Sequence, residues 1–402
     1  MAPRRAALAL LSALSVAAVL TSCAGPAGVA DDAAAPASPS PSAPPACVVD
    51  AADLVPEPGT ALLGVNLDWG SEQLADFTAD LGAAPATAVV FTELPLTDDN
   101  RTNLAAAVEQ IRGQNSSLLL TLEPRQGLAA VTDKVIADTA ALLDDISAQG
   151  VPVIVRYAHE MNGSWYPWGQ QPEEYVASFR ALATEFAGSA PGVAMMWAPN
   201  YGGGYPFAGG EFETTTGEPG FALLDTDGDG VITMADDPYA PYYPGDDVVD
   251  WVGMSLYHWG SAYPWGENEV AEPGKFVQQL RGEYNGLGGD DSSLPDFYGT
   301  YVEGAGKPLG IPETAAFVTA DADPALALDI KRSWWSQVFD PALGEGLPGL
   351  AMVNWFEWNK YEVEVDGDVD WTIGGDPAIT EGFVSALPPW VVFAPGAARC
   401  AS

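Results

Sequence analysis

Short apolar runs recur eight times between residues 60 and 390, each followed by polar or helically patterned sequence, and this rhythm constrains the fold more than any other feature. The runs are Ala61–Val65, Thr87–Phe91, Leu118–Leu122, Val151–Val155, Val193–Trp197, Val249–Ser255, Pro308–Ile311 and Leu350–Asn354. They are short and nearly continuous in apolar character, as strands buried on both faces are. Between them the spacing predicts helices over Ser71–Gly82, Asn100–Gly113, Val131–Ala148, Pro172–Ala187 and Pro324–Phe339. In Pro172–Ala187, Val176, Phe179, Ala183 and Phe186 fall on one face, and proline opens the first turn. Eight strand–helix repeats imply parallel strands closing a (β/α)8 barrel. An open doubly wound sheet is the competing topology, but Leu62–Glu72 makes a poor phosphate-cradling turn after the first run.

The barrel does not account for the whole chain. Residues 1–22 start with Arg4 and Arg5 and continue into an apolar run from Ala6 to Leu20, too short for a membrane span and read as an export signal. Leu20-Thr21-Ser22-Cys23 resembles the lipobox of bacterial lipoproteins, which implies lipidation of Cys23 and a cell-surface or secreted protein. Residues 23–46 are rich in Ala, Pro and Ser and read as a tether, leaving 47–402 as one barrel domain with an insertion at 201–247. Cys47 and Cys400 remain as an even pair at the two ends of that domain, the expected disulfide of an exported protein. Net charge is −40, and loss of two arginines with residues 1–22 takes it to −40 − 2 = −42. Such a surface excludes nucleic acid and anionic lipid headgroups as partners, and a monomer is expected.

Barrels of this type gather their chemistry where strands end. The fourth run ends in Arg156, His159 and Glu160, followed by Trp165 and Trp168. The fifth ends at Asn200, the sixth at Tyr257, His258 and Trp259, the seventh at Glu313, and the eighth at Trp355 and Glu357. Both histidines of the chain, His159 and His258, lie at such ends. Paired carboxylic acids facing one pocket suit glycoside hydrolysis, one protonating the leaving oxygen while the other attacks carbon or activates water. Glu160 and Glu313 are the natural pair, with Glu123 and Glu357 as further candidates. Aromatic rings behind the acids suit the apolar faces of sugars.

The stretch RYAHEMNGSWYPWG resembles the acid/base motif of glycoside hydrolase family 26, and KPLGIPET is similar to that family's nucleophile strand. WAPN and YYPGDDVVDWVGMSLY are similar to its fifth and sixth strands. The resemblance implies a retaining endo-β-glycanase acting on β-1,4-mannan or, second, β-1,3-1,4-glucan. Glu160 would be general acid/base and Glu313 nucleophile. His159 would orient the acid, Tyr257 would hydrogen-bond the nucleophile, and Trp355 would floor the cleft. Arg156, Trp165, Trp168, Asn200 and Trp259 complete the expected substrate-binding set. A non-catalytic polysaccharide-binding lipoprotein on the same fold is the alternative. A zinc hydrolase is remote, because His159-Glu160 lacks a second histidine four residues on.

Residues 225–237 read DTDGDGVITMADD. Asp225, Asp227, Asp229, the Val231 carbonyl and Asp236 match the ligand spacing of a Ca²⁺ loop, with Gly230 at its sharp turn. A structural calcium is therefore expected, and no catalytic cofactor.

Overall fold

The computed structural model describes residues 51–260 and 265–394. The signal at 1–22, the tether at 23–46, Cys23, Cys47 and Cys400 lie outside them. Eight parallel strands form a closed barrel: β1 (Ala61–Leu67), β2 (Thr87–Glu93), β3 (Ser117–Glu123), β4 (Val153–Tyr157), β5 (Val193–Trp197), β6 (Trp251–Gly253), β7 (Leu309–Thr314) and β8 (Leu350–Glu357). Closure comes from β1 against β8, with Leu62 opposite Met352 through Leu67 opposite Glu357. The (β/α)8 expectation holds.

The helices on the outside are α1 (Leu74–Leu81), α2 (Asp98–Gly113), α3 (Asp133–Ser147), α4 (Pro172–Ser189), α5 (Lys275–Leu280), α6 (Pro324–Val338) and α7 (Pro377–Ala386). Their starts follow local chemistry. At α2, Thr97 Oγ1 accepts from the Asn100 amide while Asn100 Oδ1 accepts from the Thr97 amide, closing a reciprocal cap. At α6 and α7 an aspartate caps the helix and proline follows: Asp323 accepts from Ala325, and Asp376 from Ala378.

Two apolar layers result. Leu63, Val65, Leu120, Val155, Val353 and Trp355 belong to the layer between strands and helices, whereas Leu62, Val89, Leu119, Ile154, Met196 and Met352 fill the lumen. The lumen is tight at Gly64, where a Cβ would lie 1.8 Å from Asn354 Oδ1 and 2.0 Å from Thr87 Oγ1. Thr87 donates to Asn354 across that gap at 2.6 Å, so a side chain at position 64 would break a buried bond.

Six strands reach further at their C-terminal ends than their apolar runs, β7 and β8 by three residues each. β7 extends to Glu313 and Thr314, and β8 to Glu357. After β8 the chain forms a hairpin of β9 (Asn359–Glu362) and β10 (Gly367–Asp370), which packs beside the barrel mouth through Trp371.

Candidate active site

β4 breaks into a tight turn immediately after Tyr157. Ala158 and Glu160 both adopt left-handed backbone, at φ 44° and 54°, a costly conformation for residues with a Cβ. The Glu160 amide donates to the Ala198 carbonyl at 2.9 Å, which anchors the turn to the end of β5. Asn162 strengthens that anchor. Its side chain accepts from the Asn200 amide and donates to the Asn200 carbonyl, both at 2.8 Å. The turn therefore projects Glu160 over the barrel mouth.

Glu313 approaches from β7. Tyr257 donates to its Oε2 at 2.7 Å, and Arg156 donates to Oε1. Arg156 is fully buried, donates through Nε to Thr121 at 3.0 Å and lies over the Phe91 ring at 5.2 Å. One ligand atom from each of His159, Glu160 and Glu313 lies within 4.8 Å of the others. The arginine already paired with Glu313 makes this trio a poor cation site, and it reads as two opposed carboxyls with an imidazole at the side.

The two glutamates sit in unlike surroundings. Burial first, and then the adjacent Glu313, push the Glu160 carboxyl up to about 7. Its Oε2 accepts from the Trp165 indole at 3.1 Å. Burial and the charges of Arg156 and Arg125 hold His159 well below the usual imidazole range, so it is neutral. Burial and Glu313 hold the Tyr257 phenol well above its usual range, so it remains a donor.

The aromatic set divides in two. Trp165 is exposed at the rim, packed edge-on against Phe207 at 5.0 Å, and Trp259 is half-buried with Trp371 at 4.8 Å. Trp168 is fully buried, donates to the His159 carbonyl at 2.7 Å and stacks beneath Tyr166 at 4.4 Å. It supports a cleft ring and is not itself a surface for sugar. Trp355 requires a larger correction. Val353 and Trp355 of β8 face the helices, and Trp355 packs edge-on against Phe383 of α7 and donates to the Trp371 carbonyl at 3.0 Å. With no exposed surface it cannot floor a cleft. Phe356, on the other face, packs against Tyr257 instead.

Glu357 follows the same outward parity. Its carboxylate accepts from the amides of Ile373 and Gly374, at 2.8 and 2.6 Å, and so braces a loop. His258 also turns outward, bonding the Glu269 carbonyl at 2.7 Å and stacking on Trp334. Glu123 stays near the site, paired with Arg125 at 2.5 Å. Asn200 is partly exposed, with its own amide turned to the Tyr201 carbonyl at 3.2 Å. Phe91, Tyr166 and Arg125 complete the surroundings of His159 and were not among the expected residues. The polar run after β3 was the one available signal for Arg125.

In the 225–237 loop, carboxylate oxygens of Asp225, Asp227 and Asp229 converge within 4.8 Å. Asp225 Oδ1 is buried and makes no hydrogen bond to the described residues. Asp236 does not join them. It is buried, and its two oxygens accept from the amides of Thr226, Asp227 and Thr233.

Residues 117–197, from β3 through the Glu160 turn to β5, match the family model for Glycosyl hydrolase family 26. Endoglucanase H of Acetivibrio thermocellus is 26% identical over 289 residues, or 69% of this chain and 25% of that protein. The chain thus spans about a quarter of that relative's length. A modular endo-β-1,4-mannanase structure from Cellulomonas fimi aligns with TM-score 0.53 at 18% identity, covering 89% of this chain and 80% of the other. A fungal β-1,4-galactanase structure also gives 0.53, at 11% identity over 81% and 99% of the two chains. At these identities the structures speak for the barrel alone. Segment 117–197 thus carries the family 26 pattern within a (β/α)8 barrel.

Proposed function

We propose that the protein is a retaining endo-β-glycanase working through a covalent glycosyl-enzyme, with β-1,4-mannan as first substrate and β-1,3-1,4-glucan as second. The observation that carries this reading is the pair Glu160 and Glu313, with a carboxylate oxygen of each within 4.8 Å. Inverting enzymes separate their carboxyls by about 6.5–9.5 Å to admit a water, whereas retaining enzymes hold them roughly 5–5.5 Å apart. Glu313, oriented by Arg156 and Tyr257, attacks the anomeric carbon. Glu160 gives its proton to the leaving oxygen, and its raised pKa keeps that proton available near neutrality. Once Glu313 is esterified, its charge no longer raises Glu160. The acid then becomes the base that activates water for the second displacement.

Two outlying features belong to the same proposal. The 225–237 loop binds a structural Ca²⁺ through Asp225, Asp227, Asp229 and the Val231 carbonyl, with Asp236 tying the loop backbone. The apolar run and Leu20-Thr21-Ser22-Cys23 support export with a lipid anchor at Cys23.

A panel of mannan, galactomannan, mixed-linkage β-glucan, cellulose and β-1,3-xylan, followed by proton NMR of the first product, tests the reaction. Cleavage with β-configured first product is expected. An α-configured first product, or binding of every glycan without cleavage, would overturn it.

A further inference from the structure

Arg125 stands out in a chain with 15 basic and 55 acidic residues, because it is directed at the candidate cleft and not at the outer surface. Two residues beyond the end of β3, it keeps 41% of its side chain exposed while one terminal nitrogen donates to the nearly buried Glu123 at 2.5 Å. Its guanidinium lies over the Tyr166 ring at 5.1 Å and the Trp168 ring at 5.4 Å. Tyr166 in turn feels the charges of Glu160, Glu313 and Glu123, which places the group beside the reacting pair. Among the described residues, the other N–H groups of the Arg125 guanidinium find no acceptor.

This arrangement is a pre-set donor array. The Tyr166 and Trp168 rings on one side and the Glu123 carboxylate on another hold the guanidinium in place, so less freedom remains to be lost on binding. We propose that Arg125, held by Glu123 and Tyr166, is a substrate-contacting residue that selects neutral sugars by hydrogen-bonding their hydroxyl groups; this rests on the glycanase reading above. The choice of hydroxyl over carboxylate follows from charge. Glu123 already balances the guanidinium, and Glu160 and Glu313 lie close by, so a hexuronate would add an uncompensated negative charge. A sugar diol accepts from the arginine and can donate to the carboxylate beside it, so the pair suits hydroxyls on both counts.

Calorimetric titration of Glu160→Gln protein with linear manno-, mixed-linkage gluco- and hexuronate-containing oligosaccharides supplies the test. Adding Arg125→Gln should raise Kd for the neutral oligomers about ten- to a hundredfold, the worth of hydrogen bonds to a charged donor. In an otherwise wild-type background the same change should raise KM by a similar factor, with kcat little altered. Arg125→Lys keeps the charge but loses the fork, and should recover only part of the affinity. Unchanged Kd and KM in Arg125→Gln would remove the residue from the substrate. Tighter wild-type binding of the hexuronate oligomer, lost in Arg125→Gln, would overturn the choice of neutral sugars. If wild type cleaved the glycan panel and this result still appeared, only the Arg125 assignment would fall. If no glycan were bound or cleaved, the glycanase reading itself would fail and the assignment with it.

Discussion

Glu160 and Glu357 occupy matching addresses, each just past an apolar strand core, and burial raises both, to about 7 and about 8. Their partners differ. Glu357 is satisfied by backbone amides of its own neighbouring loop, whereas Glu160 receives an indole N–H at one oxygen and faces Glu313 across the barrel mouth. The two histidines repeat the contrast: His159 borders the carboxyl pair, and His258 is packed against α6. A strand-end address and a perturbed pKa therefore do not identify the catalytic acid. The direction in which the backbone aims each carboxyl separates them: the turn after β4 carries Glu160 over the mouth, and β8 carries Glu357 to the wall.

The sharpest way to break this comparison is to remove each carboxylate in turn. Glu313→Ala should lower turnover on glycan on the order of 10⁴-fold or more, as loss of a nucleophile does. Glu357→Gln should leave kcat/KM near wild type. Comparable losses in steady-state assays of the two variants would erase the distinction between mouth and wall.

Next in size is the proton on Glu160. Catalysis needs the protonated carboxyl, so kcat/KM on polysaccharide should fall as pH rises above about 7. Glu160→Ala should lose that alkaline limb on an aryl glycoside with a good leaving group, and azide should restore turnover by replacing the missing base. A pH profile that kept its alkaline limb in the variant would assign the proton elsewhere.

The tryptophans offer a reciprocal pair. Trp355→Ala should cost roughly 3–5 kcal/mol of stability in denaturant melts through the cavity it opens, with KM preserved. Trp165→Ala should do the reverse, weakening polysaccharide binding at nearly unchanged stability.

The smallest effect is a slope. In the unfolded chain Glu357 titrates near 4.5, and in the folded protein near 8. The folded form thus holds its proton more tightly, a contribution fully present below pH about 4.5 and lost as pH rises through about 8. Melting temperature should decline over that window in wild type and less steeply in Glu357→Gln, which keeps an acceptor for Ile373 and Gly374.

The eight strands were legible because barrel strands are buried on both faces and read as unbroken apolar runs. The ends of β7 and β8 were not, since Glu313 and Glu357 belong to the strands yet interrupt the apolar signal. Parity was available: Met352 and Asn354 inward imply Val353, Trp355 and Glu357 outward, and applying it would have moved Trp355 to the wall. Asp236 matched a ligand spacing, but spacing does not reveal that backbone amides have already claimed both oxygens. The Arg125–Tyr166 stack joins residues from two separate loops, and no local pattern announces such a meeting.

Arg156 rises from β4, bonds Thr121 on β3 and reaches over the lumen to Glu313 on β7, three strands away round the ring. Within the frame set by strand pairing, the gap between β4 and Glu313 is thus bridged by one buried side chain, much as a spacer bar spans two jaws. Lysine could supply the charge but has one nitrogen for two distant partners. Shortening the bar would let the jaws drift, and a drift of about 1 Å is enough to cost two orders of magnitude in rate with every reacting group still present.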